Sequence, residues 1–194
     1  EMKAVCVFGG AREGRNPAYG NAAEKLGALI AQRGCGLVYG GGSIGLMGRV
    51  ANGALNAGGS VTGVLPKALA AREIMHTGLN ELCIVENMHA RKALMAERSD
   101  AFVALPGGYG TLEELLEVIT WAQLGFIHKP VGLLNVAHFF DPLLAVFDHT
   151  VAEGFVSPEQ RELILVGAEP EPLLQALAAR RANTPGNEFS ASLT

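Results

Sequence analysis

"AFVALPGGYGTLEELLEV", Ala101–Val118, packs a strand, a turn and the start of a helix into one short stretch. The apolar run Ala101–Leu105 shows no polar alternation, which suits a strand buried on both faces. Pro106 ends it, and Gly107, Gly108 and Gly110 follow. From Thr111 the apolar positions recur at helical spacing, predicting a helix over Thr111–Leu124. A buried strand, a glycine turn and an amphipathic helix together make one unit of an α/β fold. The same unit recurs outward in both directions. Strands are expected at Lys3–Phe8, Gly36–Tyr39, Ser60–Leu65, Leu82–Val85, Val131–Leu134 and Leu163–Val166. Helices are expected at Pro17–Arg33, Ile44–Ala57, His89–Arg98, Phe139–Glu153 and Pro170–Arg181. Alternation of this kind builds a parallel sheet with helices on both faces, a three-layer αβα sandwich.

The bulk composition agrees with one such domain. The chain has 194 residues, 49% hydrophobic and 18% charged, against roughly 25% charged in an average globular protein. Residues 1–182 are read as a single domain and the polar stretch Asn183–Thr194 as a disordered tail. A net charge of -4 without a basic block gives no reason to expect nucleic acid or a membrane surface as partner. The longest uncharged stretch, Val50–Pro66, is broken by glycines, asparagine and proline, which argues against a membrane-spanning helix. Cys6, Cys35 and Cys83 lie in or beside apolar runs without CxxC spacing, so reduced, buried thiols and a cytoplasmic location are expected. No signal peptide is expected, because Met2-Lys3 runs at once into a strand, and Glu1 reads as an appended residue.

Ligands of an open parallel sheet bind at the carboxyl ends of its strands. Three loops there carry glycine: Gly9-Gly10-Ala11, Gly40–Gly45 and Pro106–Gly110. The second fits G-x-G-x-x-G through Gly40, Gly42 and Gly45, which makes Gly41 and Gly42 candidate substrate contacts. A dinucleotide site wants an acid about 20 residues on. Here the first acid after Gly45 is Glu73, so NAD is not the expected ligand. No Gly-Lys-Ser/Thr follows either, which excludes a P-loop. Gly42, Gly45 and Gly48 could instead let the helix pack close to the sheet.

The loop after the fifth strand is the stronger anion cradle. Glycines let backbone N–H groups face a ligand, and a helix start adds unpaired N–H groups and a positive dipole end. Thr111 with Glu114 also spells a T-x-x-E capping box, which needs no ligand. Glu113, Glu114 and Glu117 form either a solvated acidic face or a set with at least one carboxylate in the crevice. Arg91 and Lys92 open the preceding helix, a small local cost that a nearby anion would offset. The alternative is a solvent-facing pair.

Together these residues carry a resemblance. Met88-His89-x-Arg91-Lys92, Ser99-Asp100-Ala101-Phe102 and Pro106-Gly107-Gly108-Tyr109-Gly110-Thr111-Leu112-Glu113-Glu114 closely resemble the LOG (Lonely Guy) family. Trp121–Gly125, Lys129–Asn135, Val38–Gly42 and Gly45–Gly48 extend it, from about Lys3 to Ala178. These are cytokinin riboside 5'-monophosphate phosphoribohydrolases, also labelled lysine decarboxylase-like. The resemblance implies a cytoplasmic, Rossmann-like homodimer. It would cleave the N-glycosidic bond of an adenine-type nucleoside 5'-monophosphate, with no metal or organic cofactor. It places the essential pair on Arg91 and Glu114. Further substrate contacts fall on Glu73, Lys92, Thr120 and the run Gly107, Gly108, Tyr109, Gly110, Thr111, Leu112 and Glu113. In one place the chain departs from the family: Gly9-Gly10-Ala11-Arg12 stands where the family usually has Cys-Gly-Ser-Ser. Two rivals share the fold or the label. A nucleotide or molybdenum-cofactor carrier would bind without hydrolysis. A decarboxylase would need a lysine Schiff base with pyridoxal phosphate, and of the five lysines only Lys92 falls near the expected crevice.

Overall fold

The computed structural model describes residues 1–70 and 75–184; Glu73 and the tail from residue 185 lie outside the described residues. In chain order the elements are β1 (Ala4–Phe8), α1 (Pro17–Gln32), β2 (Gly36–Tyr39), α2 (Gly45–Asn56), β3 (Val61–Pro66) and α3 (Lys67–Ala70). There follow β4 (Glu81–Val85), α4 (Met88–Glu97), β5 (Ala101–Ala104), α5 (Tyr109–Gln123) and β6 (Val131–Leu134). The chain closes with α6 (Asp141–Ala152), α7 (Pro158–Arg161), β7 (Ile164–Gly167) and α8 (Pro170–Ala182).

The strands form one seven-stranded sheet in the order β4-β3-β2-β1-β5-β6-β7. Every neighbouring pair is parallel. Alternate residues of one strand feed opposite faces. Val5 and Val7 of β1 join a cluster with Leu26 and Ile30 of α1, Val50 of α2 and Leu174 of α8. Cys6 and Phe8 join another with Met95 of α4, and Leu115 and Val118 of α5. The sheet is thus the middle of the expected three layers. The chain winds outward from β1 to β4, then returns to β5 on the other side of β1. This reversal puts the switch point between β1 and β5, where loops at the strands' carboxyl ends part to opposite faces and leave a crevice.

Several expectations need correction. Helix α5 begins at Tyr109, two residues before the predicted start, and its N-cap is Gly108 with no side-chain cap bond. Thr111 is therefore inside the first turn and cannot close a capping box. Helix α6 begins at Asp141 rather than Phe139, because Ala137 (φ 49°) and His138 (φ 61°) take left-handed backbone and Phe140 turns into the core. Cys6 and Cys35 are buried free thiols, but Cys83 on the edge strand is only partly buried. The glycines of α2 do not meet the sheet. A Cβ at Gly45 would meet Ala11, one at Gly48 would meet Ser43, and one at Gly53 would meet Glu24 of α1. Facing Gly53, Gly27 of α1 lies against the backbone of Val50, so the close approach is between α1 and α2. Short α3 and α7 were not foreseen; α7 carries a capping box between Ser157 and Gln160. At the start of the expected tail, Asn183 caps α8 and the Thr184 hydroxyl donates to Arg180 O. Among the described residues no helix is long and apolar enough to cross a membrane.

Candidate active site

The crevice at the switch point is a cavity of about 790 Å³, within the usual size of small-molecule sites. Its walls come from the loop after β1 (Gly9–Gly14), the loop after β5 running into α5 (Pro106–Thr111), and the start of α2. The first two walls are tied together. Leu105 N donates to Phe8 O at 2.8 Å, and Gly10 N donates to Pro106 O at 3.0 Å. Gly10 O in turn accepts from Leu46 N at 2.9 Å and Met47 N at 3.3 Å.

The glycines after β5 differ in purpose. A Cβ at Gly107 would collide with the Thr111 side chain, so this glycine serves packing. At Gly108 and Gly110 a Cβ would meet nothing within 4 Å, and neither has a left-handed φ. Neither a packing contact nor a left-handed backbone explains them. Both border the cavity, so their missing side chains leave room for a ligand beside the uncapped helix start. Tyr109, between them, is 94% exposed at the rim.

Arg91 is 5% exposed and far from the solvent-facing alternative. Its Nε donates to Val64 O at 2.9 Å and its Nη2 to Gly40 O at 2.9 Å. Val64 lies in β3 and Gly40 just past the end of β2, so two neighbouring strands fix the guanidinium of this cavity-lining residue. These charge-assisted bonds replace lost hydration of a buried cation. A Cβ at Gly40 would collide with Nη2, so the first glycine of the G-x-G-x-x-G pattern makes room for Arg91.

The three acids of α5 divide. Lys92 Nζ bridges Glu113, at 2.6 Å, and Glu117. Burial of Lys92 opposes its charge, but the two carboxylates prevail and hold its ammonium above the usual range. Glu114, partly buried and not bound by Lys92, lines the cavity with Arg91 and Glu113. Both charges are felt at Cys6 of β1, buried in the core. Its thiol is pushed well up by burial and then by Glu114, against a lowering by Arg91.

The structure thus brings Arg91, Gly107, Gly108, Tyr109, Gly110, Thr111, Glu113 and Glu114 to one cavity. Leu112 packs into the core beneath α5. Lys92 sits behind the acids rather than on the cavity wall. Thr120 is on an exposed face of α5, its hydroxyl donating to Leu116 O at 2.7 Å. Gly41 and Gly42 are buried in the loop after β2, one strand away from the switch point, and do not line the cavity. The sequence reading missed Tyr19, Leu46, Met47, Leu69, Met88 and Phe139 on the walls. Tyr19 and Phe139 meet edge to face at 5.8 Å. Leu46, Met47 and Met88 stand in the motifs Gly45–Gly48 and Met88-His89-x-Arg91-Lys92, whereas the place of Tyr19, Leu69 and Phe139 depends on the fold. Among the described residues no group of three or more His, Cys, Asp or Glu could hold a metal ion, and no lysine lines the cavity.

Sheet order and cleft define a Rossmann-like α/β protein with a cavity at the switch point. The family described as "Possible lysine decarboxylase" matches residues 47–177. The chain is 51% identical over 177 residues to cytokinin riboside 5'-monophosphate phosphoribohydrolase LOG1 of Arabidopsis thaliana, covering 91% of this chain and 83% of that one. To the enzyme of the same name, LOG, of Oryza sativa subsp. japonica it is 53% identical over 164 residues, or 84% of this chain and 68% of that one. Among solved structures it is similar to the molybdenum cofactor carrier protein MCP from Chlamydomonas reinhardtii, with a TM-score of 0.70 and 25% identity over 94% of this chain and 99% of that one. The chain belongs to the LOG family of cytokinin riboside 5'-monophosphate phosphoribohydrolases.

Proposed function

We propose that this protein hydrolyses the N-glycosidic bond of cytokinin riboside 5'-monophosphates, and of AMP, to free base and ribose 5-phosphate. The observation that carries this is the meeting of Glu114, Arg91 and the open glycine loop in one cavity. Breaking the bond between base and ribose builds positive charge on the sugar ring, as in glycoside hydrolysis. The Glu114 carboxylate stabilises that charge and takes a proton from the attacking water. The water oxygen bonds to the anomeric carbon as the base leaves with the bonding electron pair, and in the net reaction the proton given up by the water ends on the base, which returns Glu114 to its carboxylate. Backbone N–H groups of Gly108–Thr111 hold the 5'-phosphate at the start of α5. Arg91, fixed by Gly40 and Val64, positions the ribose phosphate against Glu114. No step calls on a metal or organic cofactor. The carrier reading rests on a likeness at 25% identity, whereas the phosphoribohydrolases stand at 51% and 53%.

Residues 1–182 form the catalytic domain in this reading, with Glu73 as a further substrate contact and the cytoplasm as its location. A homodimer is supported by the edge strand β4, which exposes Leu82 and Ile84. Light scattering on the eluting protein tests the dimer. Function is tested by chromatography of AMP and of isopentenyladenosine monophosphate after incubation with the protein. Release of adenine or isopentenyladenine with ribose 5-phosphate is expected. Tight AMP binding without base release would overturn hydrolysis in favour of a carrier.

A further inference from the structure

We propose that Arg12 is a substrate-binding residue that grips the 5'-phosphate, so that the phosphate seat is built from the loop after β1 as well as the start of α5. This rests on the reading of the cleft as a nucleoside 5'-monophosphate site. The cations on the cavity wall are Arg12 and Arg91. Arg91 has its guanidinium held by the carbonyls of Val64 and Gly40. Arg12 is exposed at the rim, and among the described residues it makes no ion pair. Glu13, Glu113 and Glu114 also face the cavity. A dianionic phosphate entering beside these acids needs more positive charge than helix N–H groups supply, since a helix start amounts to about half an elementary charge.

The backbone that carries Arg12 is fixed next to the proposed seat. A Cβ added at Gly10 would lie 3.4 Å from Gly107 Cα, so the two glycine loops touch. Gly10 N donates to Pro106 O at 3.0 Å, and its carbonyl is held by the start of α2. Gly45, at φ +65°, lets α2 approach so closely that a Cβ there would lie 2.5 Å from Arg12 N. Arg12 thus projects an exposed, planar, charged group from a pinned backbone that borders the same cavity as Gly108 and Gly110, whose Cβ positions meet no protein atom within 4 Å. A guanidinium offers a forked pair of donors that matches phosphate oxygens.

The test compares Arg12→Ala, Arg12→Lys and Arg15→Ala with the wild type. Arg15 is a nearby exposed arginine that does not line the cavity. Binding of ribose 5-phosphate and of adenine is measured by titration calorimetry, and AMP hydrolysis by base release. Arg12→Ala is expected to weaken ribose 5-phosphate and raise KM for AMP by about tenfold, leaving kcat and adenine binding unchanged. Arg12→Lys recovers part of the loss, and Arg15→Ala matches wild type. Unchanged ribose 5-phosphate binding in Arg12→Ala overturns the proposal, as does loss of adenine affinity in its place or an equal loss in Arg15→Ala. If the wild type releases no base, the hydrolase reading fails, and the ribose 5-phosphate titrations still decide the role of Arg12.

Discussion

In the loop after β2, an added Cβ at Gly40 would collide with the Arg91 guanidinium; in the loop after β5, one at Gly110 would meet nothing within 4 Å. The two loops look alike in sequence, and the G-x-G-x-x-G of the first looks the better motif. Their positions in the sheet separate them. The loop after β2 lies off the switch point, and its glycines yield to protein atoms: Gly40 to Arg91, Gly45 to Ala11. The loop after β5 borders the switch point, and two of its glycines yield to empty space. One loop shapes the site by seating a side chain, the other by withholding side chains. A glycine motif therefore says where backbone or ligand must come close, and strand order says which.

The comparison breaks most sharply at Glu114, one turn past the open loop. Glu114→Gln keeps shape and removes charge, so kcat is expected to fall by about a thousandfold with an unchanged melting temperature. Activity within a fewfold of wild type would remove the carboxylate from the mechanism. Gly40→Ala tests the other loop. Its Cβ must displace Arg91, so both stability and activity suffer: about 1–3 kcal/mol in urea unfolding and roughly a hundredfold in kcat/KM through misplacement of the guanidinium. Gly110→Ala should do neither damage to the fold nor to kcat. Alanine in a helix is worth about 0.5–1 kcal/mol over glycine, so the melting temperature should hold or rise, while KM rises about tenfold as the methyl group enters the phosphate's space. If Gly110→Ala destabilised the protein and spared KM, the contrast between the loops would collapse.

Much of this was legible in the residues. Unalternated apolar strands such as Val103 and Ala104 between amphipathic helices give a two-sided parallel sheet directly. The local chemistry of Pro106–Glu114 points to an anion cradle next to a carboxylate. What stayed hidden is what depends on strand order and packing distance. The loop after β2 could not be set aside until β5, not β2, proved to share the cleft with β1. The T-x-x-E pattern pointed to a helix start at Thr111, but Gly107 lets Thr111 tuck beneath the loop and the helix starts earlier. Nor does spacing separate Glu113 and Glu117 from Glu114. Lys92, on another helix, does so.

That separation provides the smallest test. If Lys92 serves mainly to neutralise Glu113 at the cavity wall and Glu117 behind it, Lys92→Met leaves Glu114 in place and lowers kcat only fewfold. It leaves two carboxylates one helical turn apart without their shared cation, at a cost of about 1 kcal/mol for a partly exposed network. The pH dependence identifies the cause. The folded-state pKa of Lys92 is raised above the ordinary lysine value of 10.5, because Glu113 and Glu117 outweigh the cost of its burial. Its contribution is therefore fully present below 10.5 and fades as pH rises through the folded value. Urea melts of wild type and variant should differ by a constant amount from neutral pH to about 10, then converge in stronger alkali as the wild-type lysine loses its proton. A gap that persists there would mean that the aliphatic stem, rather than the charge, joins α4 to α5. Loss of kcat as large as that of Glu114→Gln would place Lys92 in the reaction itself, and the acids of α5 would then act as one group instead of two.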